Sequence, residues 1–269
     1  MISLSDLRQF KAQNRKFSCL TCYDASMAKG MEVAEIDTIL IGDSLGMTIQ
    51  GHDSTLPVTV ADMAYHTAAV RRANQHSFIF CDLPFMSYAT LNDALSNSKI
   101  VMQAGAQMIK IEGGAWLAET VQVLTRNGIP VCVHLGLTPQ SVHVFGGYKL
   151  QAKTREAADQ LIADCKAVVE AGAAVLLLEC VPAQLGKEIT ELFPHVPVIG
   201  IGAGVETDGQ VLVVQDMLGL TFGKVARFVR NFMKEQAGET AIVDAFKAYH
   251  VAVQDQSFPA QEHTFQVEL

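Results

Sequence analysis

The chain has 269 residues, 49% of them hydrophobic and 18% charged, with 20 Gly and 8 Pro, a composition that excludes intrinsic disorder and a small disulfide-stapled fold. It contains no run of about 18 apolar residues, which excludes a membrane-spanning helix. The formal net charge is -8, with Lys plus Arg totalling 20 and forming no basic run, so a small molecule is a better partner than nucleic acid or a membrane surface.

In chain order, Leu4 to Ala12 has helical spacing and reads as an extra N-terminal helix able to cover the bottom of a larger unit. Short runs rich in Val, Ile and Leu then recur, each followed by Gly or Asp and a longer segment of helical spacing. Strands are expected at 17–24, 38–43, 78–84, 108–113, 130–136, 175–181, 197–204 and 211–214. Helical segments such as 91–104, 115–127 and 155–171 are closed by Gly105, Gly128 and Gly172. The tail after Val253 reads as loop. Strands without polar alternation are buried on both faces. Eight of them in this order predict an α/β fold, a (β/α)8 TIM barrel formed by one domain over 1–269, with an open doubly wound sheet as the alternative.

The six cysteines lie mostly inside apolar runs, and the opening segment lacks the apolar stretch of a secretory signal, so a reducing, cytoplasmic setting is expected. Cys19 and Cys22 form a CxxC, but residues three apart on a strand face opposite sides and share neither a metal nor a disulfide there.

Barrel active sites lie at the carboxyl ends of the strands. Asp43, Asp82, Lys110, Glu112, His134 and Glu179 occupy those ends. Lys110 and Glu112, two apart, share a face and point into the barrel, while Met108, Ile109 and Ile111 take positions suited to packing. A Lys110–Glu112 ion pair alone is one reading of these buried charges. Asp43, Asp82 and Glu112 at one mouth demand more, because like charges about 4 Å apart repel by roughly 4 kcal/mol at a surface-like dielectric. A cation relieves this, and all-oxygen ligands suit Mg²⁺ better than Zn²⁺. Either Asp alternatively caps the helix that follows it. Glu179 leaves a dry triple-leucine strand as a general-base candidate, and His134 is a ligand, proton relay, orienter or satisfied rim residue. Gly200, Gly202 and Gly204 at the end of the seventh strand suit either phosphate binding through backbone amides or close packing.

The strings GDSLGMTIQGHDSTLPVTVADMAYHTAAVRR (Gly42 to Arg72), CDLPFMSY (Cys81 to Tyr88), MIKIEGG (Met108 to Gly114), VHLGLTPQ (Val133 to Gln140), LLLECVP (Leu176 to Pro182) and GIGAG (Gly200 to Gly204) resemble the ketopantoate hydroxymethyltransferase family over nearly the whole chain. FGGYK (Phe145 to Lys149) and FPAQEHTF (Phe258 to Phe265) are similar to it as well. The resemblance implies a barrel of the phosphoenolpyruvate/pyruvate superfamily, assembled as a decamer. It also implies transfer of a hydroxymethyl group from 5,10-methylenetetrahydrofolate to 3-methyl-2-oxobutanoate, giving 2-dehydropantoate for pantothenate synthesis. It places Asp43, Ser44 and Asp82 at a Mg²⁺ ion and the oxo acid, makes Lys110 a substrate ligand and Glu112 a metal ligand, puts His134 in the pocket and makes Glu179 the proton acceptor. The chain departs from the family at Val205 and Glu206, and at Ala226 to Arg230, where many relatives carry PKFVK. A 2-oxo-acid lyase of the same superfamily would use the same metal and base, and a catalytically silent barrel would have lost the carboxylates that this chain retains.

Overall fold

A computed structural model describes residues 1–267. Its strands are Phe17–Thr21 (β1), Thr38–Ile41 (β2), Phe78–Asp82 (β3), Met108–Glu112 (β4), Val131–Gly136 (β5), Val175–Glu179 (β6), Val198–Ile201 (β7) and Gly209–Leu212 (β8). Each pairs in parallel with the next in chain order, and β8 pairs with β1 to close the barrel.

The period of two along each strand divides the apolar side chains into two layers. Cys19, Leu40, Phe80, Cys132, Leu177, Ile199 and Val211 fill the barrel interior. Leu20, Ile39, Ile79, Ile109, Ile111, Val133 and Leu178 face outward into the layer under the helices. Cys19 and Cys22 fall in different layers, as the strand geometry requires. Met108 does not join Ile109 and Ile111: it shares the inward face of β4 with Lys110 and Glu112 and belongs to the interior cluster below them.

Helix Leu4–Ala12 begins in a capping box in which the Ser3 hydroxyl accepts from the Asp6 amide and the Asp6 carboxylate accepts from the Ser3 amide. It closes the bottom of the barrel. Leu7 enters the interior cluster, and buried Lys11 donates to Asp208 Oδ2 at 2.7 Å and to the Thr190 carbonyl at 2.9 Å.

The observed strands are shorter than the apolar runs because the chain leaves the sheet where it turns toward function. After β1, for example, Asp24 caps helix Ala25–Val33. The last strand is shifted from 211–214. Gly209 must lie against the Phe17 ring, a contact in which a Cβ would sit 2.4 Å from it, and Val214 already opens helix Val214–Met217. A Cβ on Gly200, inside β7, would meet Thr207 Oγ1 at 2.6 Å, and one on Gly204, just after it, would meet Ala183 Cβ at 2.8 Å, so both positions need glycine for close packing.

Candidate active site

Sheet register brings the charged strand ends into contact. Asp82 on β3 is the lateral partner of Lys110 on β4, Glu112 of His134 on β5, and Gly136 of Glu179 on β6. Asp43, two residues beyond β2, places its backbone amide 2.9 Å from Asp82 Oδ2. Lys110 Nζ then lies 2.8 Å from Asp82 Oδ1, 3.4 Å from Glu112 Oε1 and 3.3 Å from His134 Nδ1. His134 links onward, with Nδ1 3.3 Å from Glu112 Oε1 and Nε2 3.3 Å from Glu179 Oε2. All six strand-end groups therefore form one continuous chain across the mouth. All are buried except Glu179, whose side chain keeps 13% of its surface exposed.

Neither aspartate is a helix cap. The helix after Asp43, Leu45–Thr48, has no side-chain cap, and Leu91–Gln103 after Asp82 is capped by Thr90. Ser44 stands beside this chain, its hydroxyl 2.8 Å from the Tyr23 hydroxyl. Gly42 permits that approach, since a Cβ there would lie 2.8 Å from Ser44 Oγ.

Four carboxylates here face two cationic groups, and burial together with that imbalance shifts Asp43, Asp82, Glu112, His134 and Lys110. Burial, then repulsion from Asp82 and Glu112, raises the Asp43 carboxyl well above its ordinary value. Burial and Glu112 likewise raise Asp82 despite the attraction of Lys110. Burial opposes the charge on Glu112 too, but Lys110 and His134 outweigh it and hold that carboxyl at about 2. Burial and Lys110 disfavour a charged His134, yet Glu112 and Glu179 prevail and hold it at about 9. For Lys110 the three carboxylates overcome burial and raise the ammonium well above its usual range.

Two further residues build the mouth and escape sequence reasoning. Gln140 donates from its backbone to Glu112 Oε2 at 3.0 Å, and from Nε2 to Asp43 Oδ2 at 2.9 Å and the Leu83 carbonyl at 3.0 Å. The Tyr88 hydroxyl donates to Gln140 Oε1 at 2.6 Å and accepts from the Glu112 amide at 3.2 Å. Both lie inside the loops after β3 and β5, where polar side chains beside a charged strand end are the available signal.

Residues 1–261 match the sequence model of the family described as ketopantoate hydroxymethyltransferase. The chain belongs to that family. Among curated relatives of the family, the 3-methyl-2-oxobutanoate hydroxymethyltransferase of Acinetobacter baumannii (strain AYE) is 88% identical over 269 residues, covering 100% of both chains. The protein of the same name from Psychrobacter sp. (strain PRwf-1) is 58% identical, covering 98% of this chain and 100% of its own. The fold extends beyond the ketopantoate hydroxymethyltransferases. A crystal structure of phosphonopyruvate hydrolase superposes with a TM-score of 0.62 at 13% identity, covering 82% of this chain and 84% of that one. A structure of 2,3-dimethylmalate lyase, a PEP mutase/isocitrate lyase superfamily member, superposes with a TM-score of 0.58 at 15% identity. At such identities the likeness is one of fold alone.

Proposed function

We propose that this site enolises 3-methyl-2-oxobutanoate, which takes the methylene of 5,10-methylenetetrahydrofolate while water supplies the hydroxyl oxygen, yielding 2-dehydropantoate and tetrahydrofolate in pantothenate biosynthesis. The observation that carries this reading is the unbroken run of charged groups from Asp43 to Glu179 across five adjacent strand ends.

The residues fit a hard divalent cation. Asp82 Oδ1 is buried without a hydrogen-bond partner and has only its ion contact with Lys110. The excess of carboxylates calls for positive charge, and their donors are all oxygen. Asp43, Asp82 and Glu112 would hold Mg²⁺. Among the described residues no three ionisable side chains close into a ready cage, and both Glu112 oxygens are already engaged, so Glu112 would act through one of the waters that Mg²⁺ usually retains. Bound there, the ion would supply Lewis-acid polarisation of the keto oxygen and lower the charge imbalance.

The chain's own groups divide the remaining work. Glu179, at the partly open edge of the mouth, accepts the C3 proton. Lys110 presents its ammonium where the keto oxygen gains negative charge, an electrostatic role that burial strengthens. His134 hydrogen-bonds Glu112 at Nδ1 and sets Nε2 3.3 Å from Glu179 Oε2, a charge contact without hydrogen-bond geometry. Ser44, supported by Tyr23, offers a hydroxyl to the substrate carboxylate.

On the same family resemblance, the subunits act as a decamer in the cytoplasm. Exposed Leu220, Phe222 and Val225 supply apolar surface that such an assembly would cover, and among the described residues no helix is long and apolar enough to cross a membrane. The test of function is direct: the protein with Mg²⁺, 3-methyl-2-oxobutanoate and 5,10-methylenetetrahydrofolate should form 2-dehydropantoate and stop when the metal is chelated. Absence of product, or turnover of a hydroxy-oxo acid without folate, would overturn the reading.

A further inference from the structure

A cavity of about 390 Å³ opens beside the barrel mouth, within the range of roughly 300–1,000 Å³ typical of ligand pockets. Trp116, the chain's single tryptophan, stands on its lip with 68% of its surface exposed. Glycine is what allows this wall to form. A Cβ on Gly113 would sit 2.5 Å from the Trp116 ring, and one on Gly114 would sit 2.7 Å from the Asp164 carboxyl carbon.

The lining has one chemical character. Trp116, Phe145 and Leu161 offer apolar and aromatic surface, while Gln160 and Asp164 form a polar edge. Asp164 Oδ1 accepts from the Ala115 amide at 3.1 Å and from Gln160 Nε2 at 3.2 Å, which leaves Oδ2 facing no donor in this set. The lining contains no Lys, Arg or His, so it does not suit a phosphate or carboxylate. An open carboxylate oxygen beside an exposed indole suits a flat heterocycle that presents an N–H donor and stacks on the aromatic face.

The position ties this cavity to the reaction. Gly113 follows Glu112, Gly136 pairs with Glu179, and Thr138 and Ser141 bracket Gln140. The Gln151 amide donates to the Cys180 carbonyl at 2.8 Å, one residue beyond Glu179. The cavity thus borders the mouth on the side of Glu112, His134 and Glu179.

We infer that this cavity binds the reduced pterin ring of the one-carbon donor, with Trp116 stacking on the ring and Asp164 Oδ2 accepting from its 2-amino group. The inference rests on the reading above, in which the donor is a reduced folate. Two measurements on the full-length protein separate them: the KM for 5,10-methylenetetrahydrofolate in transfer, and folate-free, Mg²⁺-dependent exchange of the oxo acid's C3 proton in D2O. In Asp164→Asn and Trp116→Ala the folate KM should rise about tenfold or more, the loss of one charge-assisted or stacking contact, while exchange stays at the parent rate. Trp116→Phe, which keeps a stacking face, should recover most of the loss. A folate KM within twofold of the parent in both variants, with exchange intact, would overturn the pocket alone. Absence of exchange in the parent protein would instead overturn the enolisation chemistry on which it rests.

Discussion

His134 Nε2 lies 3.3 Å from Glu179 Oε2, a charge contact without hydrogen-bond geometry, which makes the imidazole the cationic neighbour of the proposed base. Its other nitrogen is 3.3 Å from Glu112 Oε1 and hydrogen-bonds there, so the ring is fixed from the Glu112 side.

His134→Asn keeps a polar group at this position but cannot span Glu112 and Glu179. C3-proton exchange should fall about 10²-fold, the lower end of what a positioned acid–base group contributes, while oxo-acid affinity changes little. Exchange at the parent rate, followed by NMR in D2O, would show that His134 merely fills the rim.

The raised carboxyls make the metal-free protein sensitive to alkali. Asp43 and Asp82 bind protons more tightly in the folded chain than at their ordinary value of 3.8, so their contribution to stability is present at low pH and is lost as pH climbs from there through the raised folded values. His134 acts with the same sign between its ordinary 6.5 and about 9. A divalent ion competes with these protons. Mg²⁺ should therefore raise the Tm by more at pH 8 than at pH 5.5 in scanning calorimetry; an equal or reversed increment would contradict the metal assignment.

At the opposite end of the barrel, Lys11→Met should leave Asp208 buried without its ammonium partner, although the Val198 amide still donates to it at 2.8 Å. Removing one member of a buried pair costs about 3 kcal/mol. Urea denaturation should show that loss while kcat stays at the parent value, because the contact lies far below the mouth.

Gly136 has φ of +86°, and a Cβ there would approach the Glu179 carbonyl oxygen to 2.4 Å. Neither the backbone conformation nor that carbonyl can yield cheaply. Gly136→Ala should destabilise the fold by about 2 kcal/mol and slow proton exchange as well, since the displaced backbone carries the base. A variant as stable and as fast as the parent would contradict this geometry.

The barrel is readable from sequence because its strands are continuous apolar runs, and the strand-end charges are readable because such groups are conspicuous after VCV or LLL. Contacts set by packing between distant segments are not. Nothing local to Gln140 reveals that its amide reaches Asp43, 97 positions away in the chain. Likewise, Gly209 and Gln210 lack strand character and are drawn into β8 by pairing with Phe17 and Ser18. The close packing of Gly200 and Gly204 is equally hidden, because the residues they face, Thr207 and Ala183, are brought there by the fold.

Glu179 is the group proposed to remove the C3 proton of an oxo acid held by its neighbours. Glu179→Gln preserves the size of the side chain and removes its basicity, so the decisive measurement is deuterium incorporation at C3 of 3-methyl-2-oxobutanoate with Mg²⁺ present and folate absent. The variant should bind the oxo acid as the parent does and incorporate deuterium at least about 10²-fold more slowly. Incorporation at the parent rate would mean that the proton leaves by another route, and the division of labour assigned to this site would be wrong.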